Sequence, residues 1–331
     1  MNQKIAVLGG NSFSGQDFIS LLLDRTDCDI LSISRSAERS PTFNHYRLHP
    51  GAARVTYHQM DFNNDMPRIL ELLDATKPKW IVNFAAQSEV APSWEHPEHW
   101  FNTNCVALAK LVNHLRKKNY PERYLHISSP EAYGSCSGDV LETTPDCPST
   151  PYAASKSAAD MLLSTYQKQY HFPLLTVRAT NVYGPGQQLF KIIPRTVISA
   201  MSGHRLTLHG GGVAVKSYIH IRDVSCGELN ILEKGKIGER YHLSPDHGIS
   251  VREVVERVAA CCGKSFSSVC TVGEERPGQD AAYVINSQKA RTELGWHPVI
   301  GLGEGIPQVV RWVEKHWDEI QKSSLEYIHL P

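Results

Sequence analysis

Residues 4–15 read Lys4-Ile5-Ala6-Val7-Leu8-Gly9-Gly10-Asn11-Ser12-Phe13-Ser14-Gly15. A short apolar run ends in two glycines, passes through a polar turn and meets a third glycine. Ser14–Asp24, which follows, has helical periodicity. A strand turning sharply into a helix aims backbone N–H groups and the positive helix end at a pyrophosphate, and glycines let the backbone approach it closely. Gly9, Asn11, Ser12, Phe13, Ser14 and Gly15 are therefore candidate dinucleotide-binding residues. The spacing is G-x-x-x-x-x-G with Gly10 added, and Ser12 stands where a middle glycine often does. Such a turn by itself also fits an ordinary strand-to-helix connection.

Outward from this turn the first half alternates. Asp29–Ser34, Arg54–His58, Trp80–Ala85, Arg123–Ser128 and Leu174–Ala179 read as strands, and Glu98–Lys118 and Tyr152–Tyr170 as helices. Buried apolar strands separated by helices predict an α/β fold, a Rossmann-type doubly wound parallel sheet. The second half carries Pro/Gly punctuation at 184–186, 210–212 and 276–278, with helices near Ile192–Met201, Val251–Cys262, Ser287–Leu294 and Leu302–Ile320. It reads as a smaller α/β lobe interleaved with the last elements of the sheet. The expected boundaries are 1–180 and 219–236 for the dinucleotide domain and 181–218 and 237–325 for the substrate lobe. Leu325–Pro331 reads as a docked or frayed tail.

The bulk numbers restrict the partners. Lys+Arg and Asp+Glu are both 34, so no basic face for nucleic acid is advertised. The longest apolar runs, such as Ile19 to Leu23 and Trp80 to Ala86, fall far short of the roughly 20 residues that span a bilayer. No signal peptide is visible, and the expected location is the cytoplasm. Cys28, Cys105, Cys136, Cys147, Cys226, Cys261, Cys262 and Cys270 form no C-x-x-C pair and read as buried free thiols. His45 and His49 are spaced i, i+4, yet with no third ligand nearby they read as surface histidines, and no metal site is expected.

The strand at 29–34 ends Ile33-Ser34-Arg35-Ser36 without the carboxylate that usually meets the ribose 2′-hydroxyl of NAD. Arg35, flanked by Ser34 and Ser36, would instead suit a 2′-phosphate, so NADP is favoured and NAD is the second choice. The alternative is that Arg35 is a solvated loop residue. Asp61 is expected near the adenine.

Tyr152 and Lys156 form Y-x-x-x-K and share a helix face. An ammonium near a phenol stabilises the phenolate, which makes the tyrosine a general base for an alcohol that gives up hydride. Ser128 and Ser129 end the preceding strand and offer hydroxyls to share the substrate proton.

These segments together resemble the extended short-chain dehydrogenase/reductases, the family of nucleotide-sugar epimerases, dehydratases and decarboxylases. The likeness also takes in residues 83–88 with Ser93, residues 181–185, residues 220–224, residues 276–280 and residues 293–296. It implies cofactor contacts at Phe62, Ala85, Ala86, Gln87 and Asn104. Within the family the pattern is most similar to the sugar-nucleotide 4,6-dehydratases. Residues 188–194, 276–283 and 128–134 are similar to their substrate, diphosphate and S-T-D-E-V-Y-G segments. The resemblance implies substrate contacts at Ser88, Ser93, Ser129, Pro130, Asn181, Lys191, Arg195, Lys216, Arg276 and Tyr283. Glu131 matches the dehydratase base that removes the C5 proton. Pro130 replaces the acid that protonates the leaving C6 hydroxyl, and proline has no proton to give. Either Glu131 does both jobs, or another donor such as Ser129 or a bound water supplies the proton, or the chain epimerises or decarboxylates instead. A non-catalytic dinucleotide-sensing protein is the remote alternative, since such proteins tend to lose the Tyr/Lys pair. The expected partner is a nucleotide-diphosphate hexose, and the expected assembly a homodimer through the helices at 98–118 and 152–170.

Overall fold

The computed structural model describes residues 3–137, 140–274 and 282–331. The main sheet has seven strands: β1 (Lys4–Leu8), β2 (Asp29–Ser34), β3 (Val55–Gln59), β4 (Trp80–Asn83), β5 (Arg123–Ile127), β6 (Leu174–Ala179) and β7 (Arg240–Leu243). Their spatial order is β7-β6-β5-β4-β1-β2-β3, and every pair is parallel. The order reverses between β1 and β4. Open parallel sheets bind ligands in the crevice at the strand ends where the order reverses.

Helices α1 (Phe13–Arg25) and α2 (Met66–Thr76) cover opposite faces of the sheet. So do α5 (Ile221–Lys234) and the pair α3 (Leu108–Leu115) and α4 (Pro151–Tyr170). The strands are apolar on both faces because helices bury both, as β1 shows with Ile5, Ala6, Val7 and Leu8 all at most 1% exposed.

The helix expected over 98–118 is interrupted. A helical turn at Pro97–Phe101 is followed by a π-helical stretch, Asn102–Ala107, and then by α3. The wider turn brings Asn104 inward, where it is buried. The expected domain boundaries also meet a difference. Residues 240–243, expected in the substrate lobe, form the edge strand β7 of the main sheet, and the alternating pattern of Arg-Tyr-His-Leu hides that role.

The lobe is assembled from scattered pieces. A four-stranded sheet joins Ile249–Ser250, Val215–Lys216, Ala282–Val284 and Cys136–Ser137, the last from the first half of the chain. Helices Ile192–Ser202, Val251–Cys261 and Leu302–Lys315 pack around Val197, Val258, Val309 and Val313. None of the cysteines is disulfide-bonded, and Cys147 and Cys261 are exposed rather than buried, contrary to expectation. Among the described residues no helix is long and apolar enough to cross a membrane.

Candidate active site

The glycine-rich turn packs tightly. Gly9 has φ +83°, and a Cβ there would lie 2.6 Å from the Ala85 nitrogen at the end of β4. A Cβ on Gly15 would run into the Gly9 carbonyl oxygen, so α1 starts directly against the turn. Ser12 is the helix N-cap, its Oγ accepting from the Gly15 N–H at 3.1 Å. The cap therefore explains the serine that replaces a middle glycine. Phe13 and Ser14 open α1, and N–H groups of a first helical turn have no acceptor within the helix. They point to the crevice end of β1, which is where a pyrophosphate fits.

Asn11 has a different role from the one expected. It is buried, with its N–H on Ser34 Oγ at 3.0 Å and its Nδ2 on Ser36 Oγ at 3.0 Å and the Ala37 carbonyl at 2.9 Å. Its Oδ1 accepts from the Arg39 N–H and from Asn44 Nδ2. Asn11 thus shapes the loop after β2, and Ser34 and Ser36 are occupied in holding it. Arg35 donates through Nη1 to the carbonyls of Leu330 and Pro331, both at 3.0 Å. The trio expected to hold a 2′-phosphate is engaged within the chain. Asp61 caps the turn before α2, accepting from the Asn63 N–H at 2.7 Å, and the Phe62 side chain is packed in the core beneath α2.

Gln87 and Asn104 are placed together. The Gln87 N–H donates to Asn104 Oδ1 at 2.9 Å, and Asn104 Nδ2 donates to the Gln87 carbonyl at 3.0 Å and to Ser155 Oγ at 2.9 Å. Asn104 fixes the loop after β4, including Ala85 and Ala86, to α4. The Gln87 side chain donates to the Leu330 carbonyl at 2.6 Å.

The catalytic candidates converge. Thr150 caps α4 with its side chain on the Ala153 N–H, and Pro151 sits in the first turn. Ser93 accepts from the Tyr152 N–H at 3.2 Å and donates to the Val90 carbonyl at 2.6 Å, so it anchors the start of this helix. Ser129 caps the turn 130–133, accepting from the Glu131 N–H at 3.2 Å, and its hydroxyl lowers the Tyr152 value. Pro130 is buried at the first position of that turn. Tyr152 is raised above the ordinary tyrosine value, first by burial and then by the Glu131 carboxylate; the Ser129 hydroxyl opposes the rise, and the Glu89 and Asp160 charges add to it. Lys156 is lowered by burial to about 8, and its Nζ donates to the Ile127 carbonyl at 2.7 Å. The expected depression of the phenol by the ammonium does not rank among the main influences on Tyr152, which are burial and Glu131; the Lys156 ammonium is turned to the Ile127 carbonyl.

Three groups beside this set escaped the sequence reading. Asp160 lies one turn beyond Lys156 on α4, and it accepts from Ser128 Oγ at 2.6 Å and from Arg178 Nη2 at 2.6 Å. Arg178 on β6 is fully buried and forks onto both oxygens of Asp146 at 2.8 and 3.0 Å. His126, lowered to about 3 chiefly by burial, stands neutral beside Asp160. The i, i+4, i+8 spacing of Tyr152, Lys156 and Asp160 was the available signal. Glu89, whose charge reaches Tyr152, pairs with Lys191 Nζ at 2.7 Å.

In the lobe, Lys216 and Tyr283 are register partners in adjacent strands, with Nζ 5.4 Å from the ring centre. Asn181 starts the strand beside Ser217, donating to its carbonyl. Ser88 is exposed at the edge of the loop after β4. Arg195 reaches Glu326 at 2.9 Å and the Leu325 carbonyl rather than standing open. Arg276 lies outside the described residues.

Fold and site together define a dinucleotide-binding enzyme of the tyrosine–lysine type, with an added carboxylate on the serine turn. A family model described as GDP-mannose 4,6 dehydratase matches residues 6–309, and the chain belongs to that family of sugar-nucleotide dehydratases. A dTDP-glucose 4,6-dehydratase of Xanthomonas campestris pv. campestris is 34% identical over 265 residues, covering 74% of this chain and 75% of that protein. The low-salt glycan biosynthesis protein Agl12 of Haloferax volcanii is 31% identical, covering 92% and 97%. Among solved structures, DesIV, a dTDP-glucose 4,6-dehydratase from Streptomyces venezuelae with NAD and TYD bound, superposes with a TM-score of 0.88 at 29% identity. That match covers 97% of this chain and 100% of DesIV.

Proposed function

We propose that this chain is a nucleotide-sugar 4,6-dehydratase that converts a nucleotide-diphosphate hexose into its 4-keto-6-deoxy form. The observation that carries this reading is the placement of Glu131 on the Ser129-capped turn, close enough for its charge to act on Tyr152. A carboxylate there has a use in removing the C5 proton and none in simple alcohol oxidation.

A bound nicotinamide dinucleotide would supply hydride acceptance from C4 and hydride return at C6. The chain's own groups do the rest. Tyr152, in its phenolate form, takes the C4 hydroxyl proton, and Ser129 holds the same hydroxyl in place. The resulting 4-ketone makes C5 acidic, and Glu131 removes that proton. Pro130 cannot protonate the leaving C6 hydroxyl, so we assign that transfer to Glu131 as well, which by then carries the C5 proton; C5 takes a proton from solvent when hydride returns to C6, and Tyr152 gives the C4 proton back to solvent. Lys216 and Tyr283 lie where the likeness puts the diphosphate.

We favour NAD over NADP. Ser34, Ser36 and Arg35 already have partners in the chain, and DesIV was solved with NAD. We also propose a homodimer. Phe101, Val106, Met161 and Tyr170 expose 38 to 62% of their surface along 97–107 and α4, a stripe that a second copy would cover. Ala153 and Ala159, by contrast, are fully buried within the chain.

Incubation with NAD and dTDP-, UDP-, GDP- and CDP-hexoses, followed by product mass, tests the reading. Loss of one water from one donor is expected. In Glu131→Gln, cofactor reduction should persist while dehydrated product disappears. Unchanged mass with a new sugar isomer would make the enzyme an epimerase instead.

A further inference from the structure

The turn Pro97–Phe101 and the end of the chain build a cluster that the proposed dehydration does not use. His96, Glu98 and His99 each place one ligand atom within 4.8 Å of the others. Glu98 Oε1 lies 3.6 Å from His99 Nε2 and 4.0 Å from His96 Nδ1. Ligand atoms at about 2.0–2.2 Å around a tetrahedral zinc lie about 3.4 Å apart, so the two Glu98 spacings need to contract by only a few tenths of an ångström, and the His96–His99 spacing, within 4.8 Å, closes by a side-chain rotation of the exposed His96.

The other nitrogen of His99 is already accounted for. Its Nδ1 lies 2.8 Å from His329 Nε2, and His329 Nδ1 lies 3.3 Å from the Tyr327 hydroxyl. Of the two proton arrangements that satisfy this chain, one opens His99 Nε2 to a cation. His99 donates from Nδ1 to His329, His329 donates from its own Nδ1 to Tyr327, and the His99 Nε2 lone pair is left facing Glu98. Metal-ligating histidines characteristically donate their second ring N–H to an outer partner that fixes tautomer and orientation. The rings are held in place. His96, His99 and His329 are mutually stacked at interplanar angles of 7 to 22°, and the fully buried Trp100 stacks on His329 at 9°.

We infer that His96, Glu98 and His99 form a binding site for a divalent transition-metal ion of the zinc type. His329 serves as its outer partner, so that the ion fastens the end of the chain to the wall of the cofactor crevice. Two imidazoles and a carboxylate suit such an ion and leave one tetrahedral position to water. Magnesium and calcium, which prefer oxygen, would be poorly served. The consequence is positional. Residues 325–331 run from Arg195 and Phe190 in the lobe to Gln87 and Arg35 on the main sheet. Locking His99 locks the group that holds this segment midway.

The test is titration calorimetry of zinc ion into the chelator-treated full chain, which involves neither cofactor nor sugar and so stands apart from the dehydratase reading. One equivalent is expected to bind in the micromolar range or tighter. His329→Ala should weaken binding by roughly 10–100-fold at unchanged stoichiometry, as loss of an outer partner does, and His96→Ala/His99→Ala should weaken it further. Absence of saturable binding overturns the inference. So does a double histidine variant that binds like the parent, since the exposed thiols Cys147 and Cys261 would then be the ligands. Circular dichroism of the variants checks that they fold, and unchanged affinity in His329→Ala removes His329 from the site.

Discussion

At the scale of single residues, burial sets the chemistry of the Tyr152–Lys156 pair. Both are buried, and burial disfavours whichever form is charged. Lys156 is thus an ammonium below about 8 and neutral above it, and the Asp160 carboxylate is the strongest influence pulling that value back up. If catalysis uses the ammonium, kcat/KM falls as pH rises through about 8. Removing the charge at Asp160 lowers the Lys156 value, so Asp160→Asn should move the falling limb to lower pH. A pH–rate profile of the two proteins checks this, and superimposable limbs would dissociate Asp160 from the lysine. Tyr152→Phe should lose roughly 10²–10⁴-fold in turnover with little change in melting temperature. The Tyr152–Lys156 spacing was legible because two reactive side chains four apart on a helix are a local pattern. Asp160 was on the same face and equally readable. Its significance was not, because that depends on Arg178 and Asp146, which come from β6 and from the irregular loop that precedes α4.

At the scale of elements, α4 is fixed to the sheet by charge as much as by apolar contact. Arg178, fully buried, bonds Asp146 through both guanidinium branches and Asp160 through one. Removing one partner of a buried ion cluster leaves uncompensated charge, which costs about 3–5 kcal/mol. Arg178→Met should therefore lower the unfolding free energy by that amount in a denaturant titration, and a loss below about 1 kcal/mol would show that water compensates the two aspartates. Periodicity revealed β1 to β6 and α4 nearly to the residue, because the central strands, covered on both faces, are largely apolar and β2 and the edge strand β3 mix apolar and polar residues between clear turn signals. It did not reveal the π-helical break at Asn102–Ala107. That break is held by bonds from Asn104 to Gln87 and Ser155, which are far apart in sequence. Nor did it reveal the lobe, whose strands are two to four residues long and draw on both halves of the chain.

At the scale of the whole molecule, the crevice between the lobes is crossed by the last residues of the chain. Tyr327 packs edge-on against Phe190 at 5.6 Å, and Glu326 pairs with Arg195 on the lobe side. On the sheet side the Leu330 carbonyl accepts from both Gln87 and Arg35. Both side chains lie in segments that the sequence assigns to the cofactor, so segment and cofactor compete for the same donors. A protein whose binding-competent state is a minor fraction shows an affinity reduced by that fraction. A few hydrogen bonds, each contributing about 1 kcal/mol, are enough to make that fraction small. Deleting residues 325–331 should thus speed NAD association and tighten its apparent affinity by on the order of tenfold, while dissociation stays nearly constant. Stopped-flow fluorescence resolves the two rates. Unchanged association with faster release would mean that the segment closes over bound cofactor rather than standing in its place, and Gln87 and Arg35 would then contact the strap in the loaded enzyme too.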